Sequence, residues 1–253
     1  MVEIQDLTVE FSRGWRRKPF TAVDHLTLTI GEGEFCALLG PNGSGKSTTI
    51  YCALGLLRPT AGRVRVFGQT LTPGCPALRD VAYLPEEPHY HDYLTVEEAV
   101  RYYTGLYGVR PATAAIDGVL ERLNLASSRS VPIASCSKGM KQKVGIAQCL
   151  LHQPRLLLLD EPMRGLDPVA VKEFRDVLLD LNRRGATVVM SSHMLSEVEL
   201  MATRAAVLAG GRLVASGDVA ALRGGSDDAG RPQPSRLEDW MVSTLKDGSE
   251  PHA

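Results

Sequence analysis

Apolar and polar positions alternate in two runs over the first thirty residues. Val2, Ile4, Leu7, Val9 and Phe11 alternate roughly, while Leu26, Leu28 and Ile30 alternate strictly, which predicts two half-buried strands. Between them, Ser12 to Lys18 gathers Arg13, Arg16, Arg17 and Lys18 around Trp15. Such a segment reads either as a solvated hairpin tip or as a basic surface for nucleic acid or lipid head groups. Glu34 to Leu39 is a short apolar strand, and a helix is predicted from Lys46 through Leu57. Arg58-Pro59-Thr60-Ala61-Gly62 then breaks the chain before an alternating strand over Arg63 to Phe67. A strand that feeds a glycine-rich turn and then a helix opens an α/β unit with a parallel sheet.

From Leu94 to Leu125 the period lengthens to that of helices. Thr95 and Glu98 have the spacing of a capping box, and a further helix is predicted from about Thr113 to near Asn124. The α/β pattern then returns. Leu156 to Leu159 is a four-leucine run, as expected of a strand buried on both faces. A helix over Val169 to Arg184 stops at basic residues and Gly185, and Thr187 to Met190 gives the next strand. Ala205–Leu208 and Leu213–Ala215 flank Gly210-Gly211 as a hairpin. Gly224 to Arg236 holds Gly, Ser, Asp and Pro and predicts a flexible linker, followed by a short amphipathic helix over Leu237 to Lys246.

At 253 residues the chain is long enough for one large domain or a core with a small appended one. Its formal net charge of -1 argues against nucleic acid as a main partner, because phosphate backbones call for a basic surface. No apolar run approaches the roughly 20 residues that cross a bilayer, and no basic and apolar leader opens the chain. These features predict a cytoplasmic protein. Cys36, Cys52, Cys75, Cys136 and Cys149 are scattered without C-x-x-C pairing, which is neither a disulfide framework nor a zinc pattern.

The chemistry begins at Gly40, Pro41, Asn42, Gly43, Ser44, Gly45, Lys46, Ser47 and Thr48, which match G-x-x-x-x-G-K-S/T between a strand and a helix. Glycines there let backbone N–H groups turn inward on a polyphosphate, and the new helix adds the positive end of its dipole. Lys46 supplies a point charge for the β- and γ-phosphates of a nucleoside triphosphate, and the Ser47 hydroxyl can ligate Mg²⁺, a device that kinases, helicases, GTPases and transport ATPases share. Asp160 closes the leucine strand, where a metal held by Ser47 needs a second anionic contact. Glu161 follows it and points elsewhere, which suits polarising a water in line with the γ-phosphate. His89 and His91, with Glu86, Glu87 and Asp92, read either as a metal cluster or as an exposed aromatic-rich surface over Pro88 to Tyr93 for a membrane partner.

Ahead of the leucine strand, Ser135-Cys136-Ser137-Lys138-Gly139-Met140-Lys141-Gln142-Lys143 opens a helix. At this point the sequence resembles the ATP-binding cassette (ABC) family, whose signature is Leu-Ser-Gly-Gly-Gln. Of those five residues Ser137 and Gly139 survive, the two suited to touch phosphate. The Ser-Lys-Gly-Met form is similar to a branch that serves exporters of drugs, lipids and polysaccharides. Gly165-Leu166-Asp167-Pro168 looks like the loop that meets a facing subunit, and His193 like the switch histidine that reaches the γ-phosphate. Phe11 occupies the place of the aromatic that stacks on adenine, although packing within its strand is an equal reading. Glu86 stands where the family has a metal-reaching glutamine; a carboxylate there is also a metal ligand, and either Glu86 or Glu87 can point inward.

The resemblance implies an α/β fold: a P-loop NTPase core with a mixed, mainly parallel sheet, an N-terminal antiparallel β subdomain and a helical insertion. It covers residues 1–222 as an ABC ATPase domain, with the helical subdomain at about 87–150. Residues 223–253 form the linker and short C-terminal helix. It further implies an ATPase with ATP and Mg²⁺ at its site, a second ABC ATPase subunit (a homodimer) and integral membrane permease subunits that hold it at the cytoplasmic face of the membrane. The rival expectations are a soluble cassette protein acting on ribosomes or DNA, and a regulatory module that binds ATP without turnover.

Overall fold

The computed structural model describes residues 1–12, 19–222, 237 and 240–242. The basic segment from Arg13 to Lys18, the linker over Gly224 to Arg236 and most of the predicted C-terminal helix lie outside the described residues. In chain order the elements begin with β1 (Val2–Phe11), β2 (Phe20–Ile30), β3 (Phe35–Leu39), α1 (Lys46–Ala53), β4 (Ala61–Val66), β5 (Val81–Leu84), α2 (Val96–Leu106), α3 (Thr113–Arg122) and α4 (Lys138–His152). They continue with β6 (Leu156–Asp160), α5 (Pro168–Arg183), β7 (Thr187–Ser191), α6 (Leu195–Met201), β8 (Arg204–Ala209), β9 (Arg212–Asp218) and α7 (Val219–Leu222). The chain forms two compact units, Met1–Leu78 with Val189–Ala253, and Arg79–Val188.

The first unit contains an antiparallel sheet in the order β2-β1-β4. The alternation along β1 is only rough because its register shifts between Ile4 and Leu7. Asp6 and His25 take left-handed φ values of 51° there and face each other, His25 Nδ1 lying 2.6 Å from Asp6 Oδ1. The irregularity resets which residue faces inward, so Ile4 and Leu7 are both buried although three positions apart. In the same unit the order runs β7-β3-β8-β9, with β3 parallel to β8 and β8 antiparallel to β9. All five residues of β3 are buried, as a strand covered on both faces requires.

Helix α1 stops at Ala53, four residues short of the predicted Leu57. Gly55 turns left-handed at φ 69°, and the N–H groups of Leu56 and Leu57 both fold back to the Tyr51 carbonyl, satisfying the helix end. The apolar run Leu54, Leu56, Leu57 imitates a continuing helix, and the glycine ends it.

In the second unit β5 pairs parallel with β6, and β6 is followed in strand order by β7, which is divided between the units after Val188. The mixed sheet is thus mainly parallel, with β9 antiparallel at one edge. Helix α2 begins with the predicted capping box: Thr95 accepts from the Glu98 amide, and Glu98 accepts from the Thr95 amide at 2.9 Å. Helix α5 starts with Pro168 after Asp167 and buries Ala170, Val171, Phe174, Val177, Leu178 and Leu181 on one face. Burying each of its larger apolar side chains contributes about 1.5–3 kcal/mol against the entropy of ordering. Among the described residues, no helix is long and apolar enough to cross a membrane.

Candidate nucleotide site

The phosphate turn lies in the first unit between β3 and α1, as predicted. Pro41, Asn42 and Gly43 are exposed, whereas Ser44, Gly45 and Lys46 are buried and Ser47 and Thr48 are half-buried. Gly45 has φ 101°, and a Cβ on it would sit 2.6 Å from the Ala22 carbonyl oxygen, so the turn is held flush against β2. Lys46 Nζ donates to the carbonyls of Gly40 at 2.8 Å and Pro41 at 3.1 Å, which fixes its ammonium inside the loop. Ser44 Oγ is buried and has no hydrogen-bond partner. A buried hydroxyl without a partner costs about 1–3 kcal/mol, and an anion oxygen accepted into the loop would remove that cost. The loop therefore fits a phosphate group.

Two further candidates belong to this unit. Ser192, just past β7, donates its amide to Leu38 at 3.1 Å, and Met194 donates its amide to Ser192 Oγ at 3.0 Å. These bonds bracket His193, which is exposed. Phe11 pairs across the strands with Phe20, and the two rings are 41% and 40% exposed at the end of the β1–β2 ladder. Phe11 is thus partly open to solvent, and Phe20, which no motif singles out, enlarges the apolar face. Ala22 and Val23, further along β2, lie against Gly45 of the phosphate turn.

The second unit carries the acidic residues. Asp160 ends β6, and both it and Glu161 are buried. Glu161 has a left-handed φ of 46°, a conformation that costs a non-glycine residue about 1–2 kcal/mol. The turn is closed by the Arg164 amide donating to the Glu161 carbonyl at 3.1 Å. Arg164 Nη1 also donates to Glu86 Oε1 at 2.8 Å. The Glu86 carbonyl accepts from Nε2 of the buried Gln142 at 2.8 Å, so its backbone and its carboxylate are both held. Glu87 is the more open of the two, its side chain 70% exposed and 3.9 Å from Lys138 Nζ.

Ser137 is the N-cap of α4, its Oγ accepting from the Met140 amide at 3.2 Å. It remains exposed, and its hydroxyl hydrogen is left to donate. A Cβ on Gly139 would meet Leu166 Cδ2 at 3.6 Å and Ser137 Oγ at 3.9 Å, both ordinary contacts, so neither demands glycine there. Asp167 accepts from the amides of Val169 at 3.0 Å and Ala170 at 2.9 Å and thereby caps α5. The stretch from Pro88 to Tyr93 is less uniformly exposed than expected. Tyr93 is 77% exposed, but Pro88 is buried, and Tyr90 packs edge-on against Tyr103 with ring centroids 5.0 Å apart. Burial raises the Tyr90 phenol above its ordinary pKa. Among the described residues, no group of three or more His, Cys, Asp or Glu side chains has the arrangement of a metal site.

The ABC transporter family matches residues 23–164, more than half of the chain. The uncharacterized ABC transporter ATP-binding protein YhcH of Bacillus subtilis is 41% identical over 197 residues, covering 77% of this chain and 64% of that protein. The bacitracin transport ATP-binding protein BcrA of Bacillus licheniformis is 38% identical over 195 residues, covering 76% of this chain and 63% of its own length. The chain thus spans a little under two thirds of each of these curated relatives. A dimeric ATP-binding cassette in a post-hydrolysis state, bound to ADP and Pi, is similar in fold with a TM-score of 0.78 and 25% identity, over 87% of this chain and 99% of that one. The family match takes in both the phosphate turn and the Asp160–Glu161 pair, and the chain belongs to the ABC transporter family.

Proposed function

We propose that the chain is the ATP-hydrolysing subunit of an exporter, working as a pair of cassettes on separate membrane permease subunits at the cytoplasmic face. The observation that carries this reading is the phosphate turn itself: a buried Ser44 hydroxyl without a partner beside the buried Lys46 ammonium.

Lys46, the loop amides and the N-terminus of α1 bind the β- and γ-phosphates, and the paired Phe11 and Phe20 faces receive adenine. Ser47, Asp160 and Glu86 are the residues that would hold Mg²⁺, which would supply charge neutralisation on the phosphates. Glu161 accepts a proton from the attacking water, and His193 donates to the γ-phosphate as charge shifts during cleavage. Ser137 and Gly139 act on the nucleotide of the facing cassette. The exposed cap hydroxyl of Ser137 and the half-exposed Gly139, where a side chain would meet only ordinary contacts, support that role. A single chain then supplies two half-sites, and ATP completes each only when a second copy arrives.

The export direction is supported by the Ser-Lys-Gly-Met form at Ser137 to Met140, and transport by the name of BcrA. Purified protein should hydrolyse Mg-ATP, and Glu161→Gln should accumulate an ATP-dependent dimer on size-exclusion chromatography. Wild-type turnover by that variant would remove Glu161 as the base. Recovery exclusively with ribosomes, and none with membranes, would overturn the transport reading.

A further inference from the structure

We infer that Arg164 is a positioning residue whose charge compensates Glu86, so that the pair presents to the metal–nucleotide complex the neutrality of the family's glutamine. The inference rests on the nucleotide reading above. Its starting point is the ion pair itself: Arg164 Nη1 lies 2.8 Å from Glu86 Oε1, joining residues 78 positions apart.

Both ends of the pair are fixed by other bonds. Glu86 is anchored through its carbonyl to Gln142, whose side chain is fully buried and also donates to the Pro85 carbonyl at 3.3 Å. Arg164 is anchored through its amide to the carbonyl of Glu161. The guanidinium therefore ties the loop after β5 to the turn that carries the proposed base. Among the described residues, Lys138 pairs with Glu87, at 3.9 Å, and Arg164 pairs with Glu86.

Charge decides what each partner does alone. A bare carboxylate at residue 86 attracts a divalent cation more strongly than an amide does, whereas a bare guanidinium at residue 164 repels one. Together they sum to zero, as a glutamine facing an uncharged residue would. The side chains are 49% and 34% exposed, which limits the coupling to that of a partly solvated pair.

The test is a double-mutant cycle read by Mn²⁺ binding. The full chain is titrated with Mn²⁺ in the presence of a non-hydrolysable ATP analogue, and free Mn²⁺ is followed by electron paramagnetic resonance. Arg164→Ala should tighten Mn²⁺ binding about two- to fivefold, and Glu86→Gln should weaken it by a similar factor. The double variant should return to the wild-type value, and Arg164→Lys should remain near it. Melting curves check folding, and Arg164→Gln, which keeps a donor and removes only the charge, replaces an alanine variant that does not fold. The inference is overturned if removing Arg164 leaves the affinity unchanged, if both single variants shift it the same way, or if the double variant keeps the full effect of Glu86→Gln. Failure of the nucleotide reading looks different: the wild type would then show no analogue-dependent Mn²⁺ binding that Lys46→Ala abolishes.

Discussion

The amide of Ser192 donates to the carbonyl of Leu38 at 3.1 Å, tying the residue before His193 to the strand that feeds the phosphate turn. Because Met194 bonds in turn to Ser192 Oγ, the backbone on both sides of His193 is fixed while its ring stays exposed. A side chain held this way is prepared for a group that arrives in the turn. His193→Ala should therefore lower ATP turnover about a hundredfold or more while leaving nucleotide affinity within a few-fold of wild type. Steady-state hydrolysis and binding of a fluorescent ATP analogue separate the two effects. Turnover at the wild-type rate would rule out a γ-phosphate role.

Gly45 makes a stronger demand on its surroundings. Its φ of 101° is foreign to residues with a side chain. The Ala22 carbonyl oxygen, 2.6 Å from where a methyl group would stand, is backbone that cannot rotate away. Gly45→Ala should lower stability by about 1–3 kcal/mol and weaken ATP binding as well, since β2 or the turn must give way. Lys46→Ala removes charge without that strain, so it should lose binding with a smaller drop in melting temperature. Equal melting temperatures for wild type and Gly45→Ala would contradict the close approach of β2.

Features written in consecutive residues are legible in the sequence: the phosphate turn, the capping box at Thr95, the leucine strand and the Gly210-Gly211 hairpin. Each is a local device whose residues carry its geometry with them. Helix α1 is shorter than its pattern implies, because Leu54, Leu56 and Leu57 continue an apolar period that Gly55 interrupts by conformation. Helix α6 leaves no periodic signal, being only seven residues long with Val198 and Met201 as its buried positions. Phe20 acquires meaning only through its register opposite Phe11, and Arg164 only through Glu86. Pairings across strands or between distant loops are set by the fold, and no spacing rule along one chain reveals them.

The five thiols differ sharply in access. Burial pushes Cys36 and Cys149 up to about 12 and Cys52 to about 11, and it also raises Cys136. Thiolate is the reactive form, so these four should be slow toward an aromatic disulfide reagent near pH 8. Cys75 is half-buried and should supply the single rapid equivalent, which Cys75→Ser abolishes. Unfolding in guanidinium should release all five. A rapid phase that survives Cys75→Ser would mean that one of the buried elements opens readily.

His152 offers a test of pH dependence. Its ring stacks on Tyr107 with centroids 4.0 Å apart, and its Nε2–H donates to the Arg79 carbonyl. Nδ1 is then the unprotonated nitrogen, and it is buried without a partner. Protonation would place a charged N–H where nothing accepts it, and burial accordingly lowers the His152 pKa below its ordinary value of 6.5. The unfolded chain takes up this proton first as pH falls. Stability is therefore full above about 6.5 and is lost as pH falls from there through the lower folded value. His25 has the opposite sign: the Asp6 hydrogen bond raises its pKa, so its contribution is present at low pH and fades as pH rises through that raised value. The wild-type slope mixes the two, and the difference between wild type and His152→Phe isolates one. Phenylalanine keeps the stack on Tyr107 and gives up the bond to Arg79, a loss of about 0.5–1.5 kcal/mol that does not vary with pH. Melting temperatures measured from about pH 7.5 down to about pH 5.5 should therefore converge for the two proteins as the wild type loses stability on acidification. Parallel curves across that range would show that His152 titrates alike in the folded and unfolded chains.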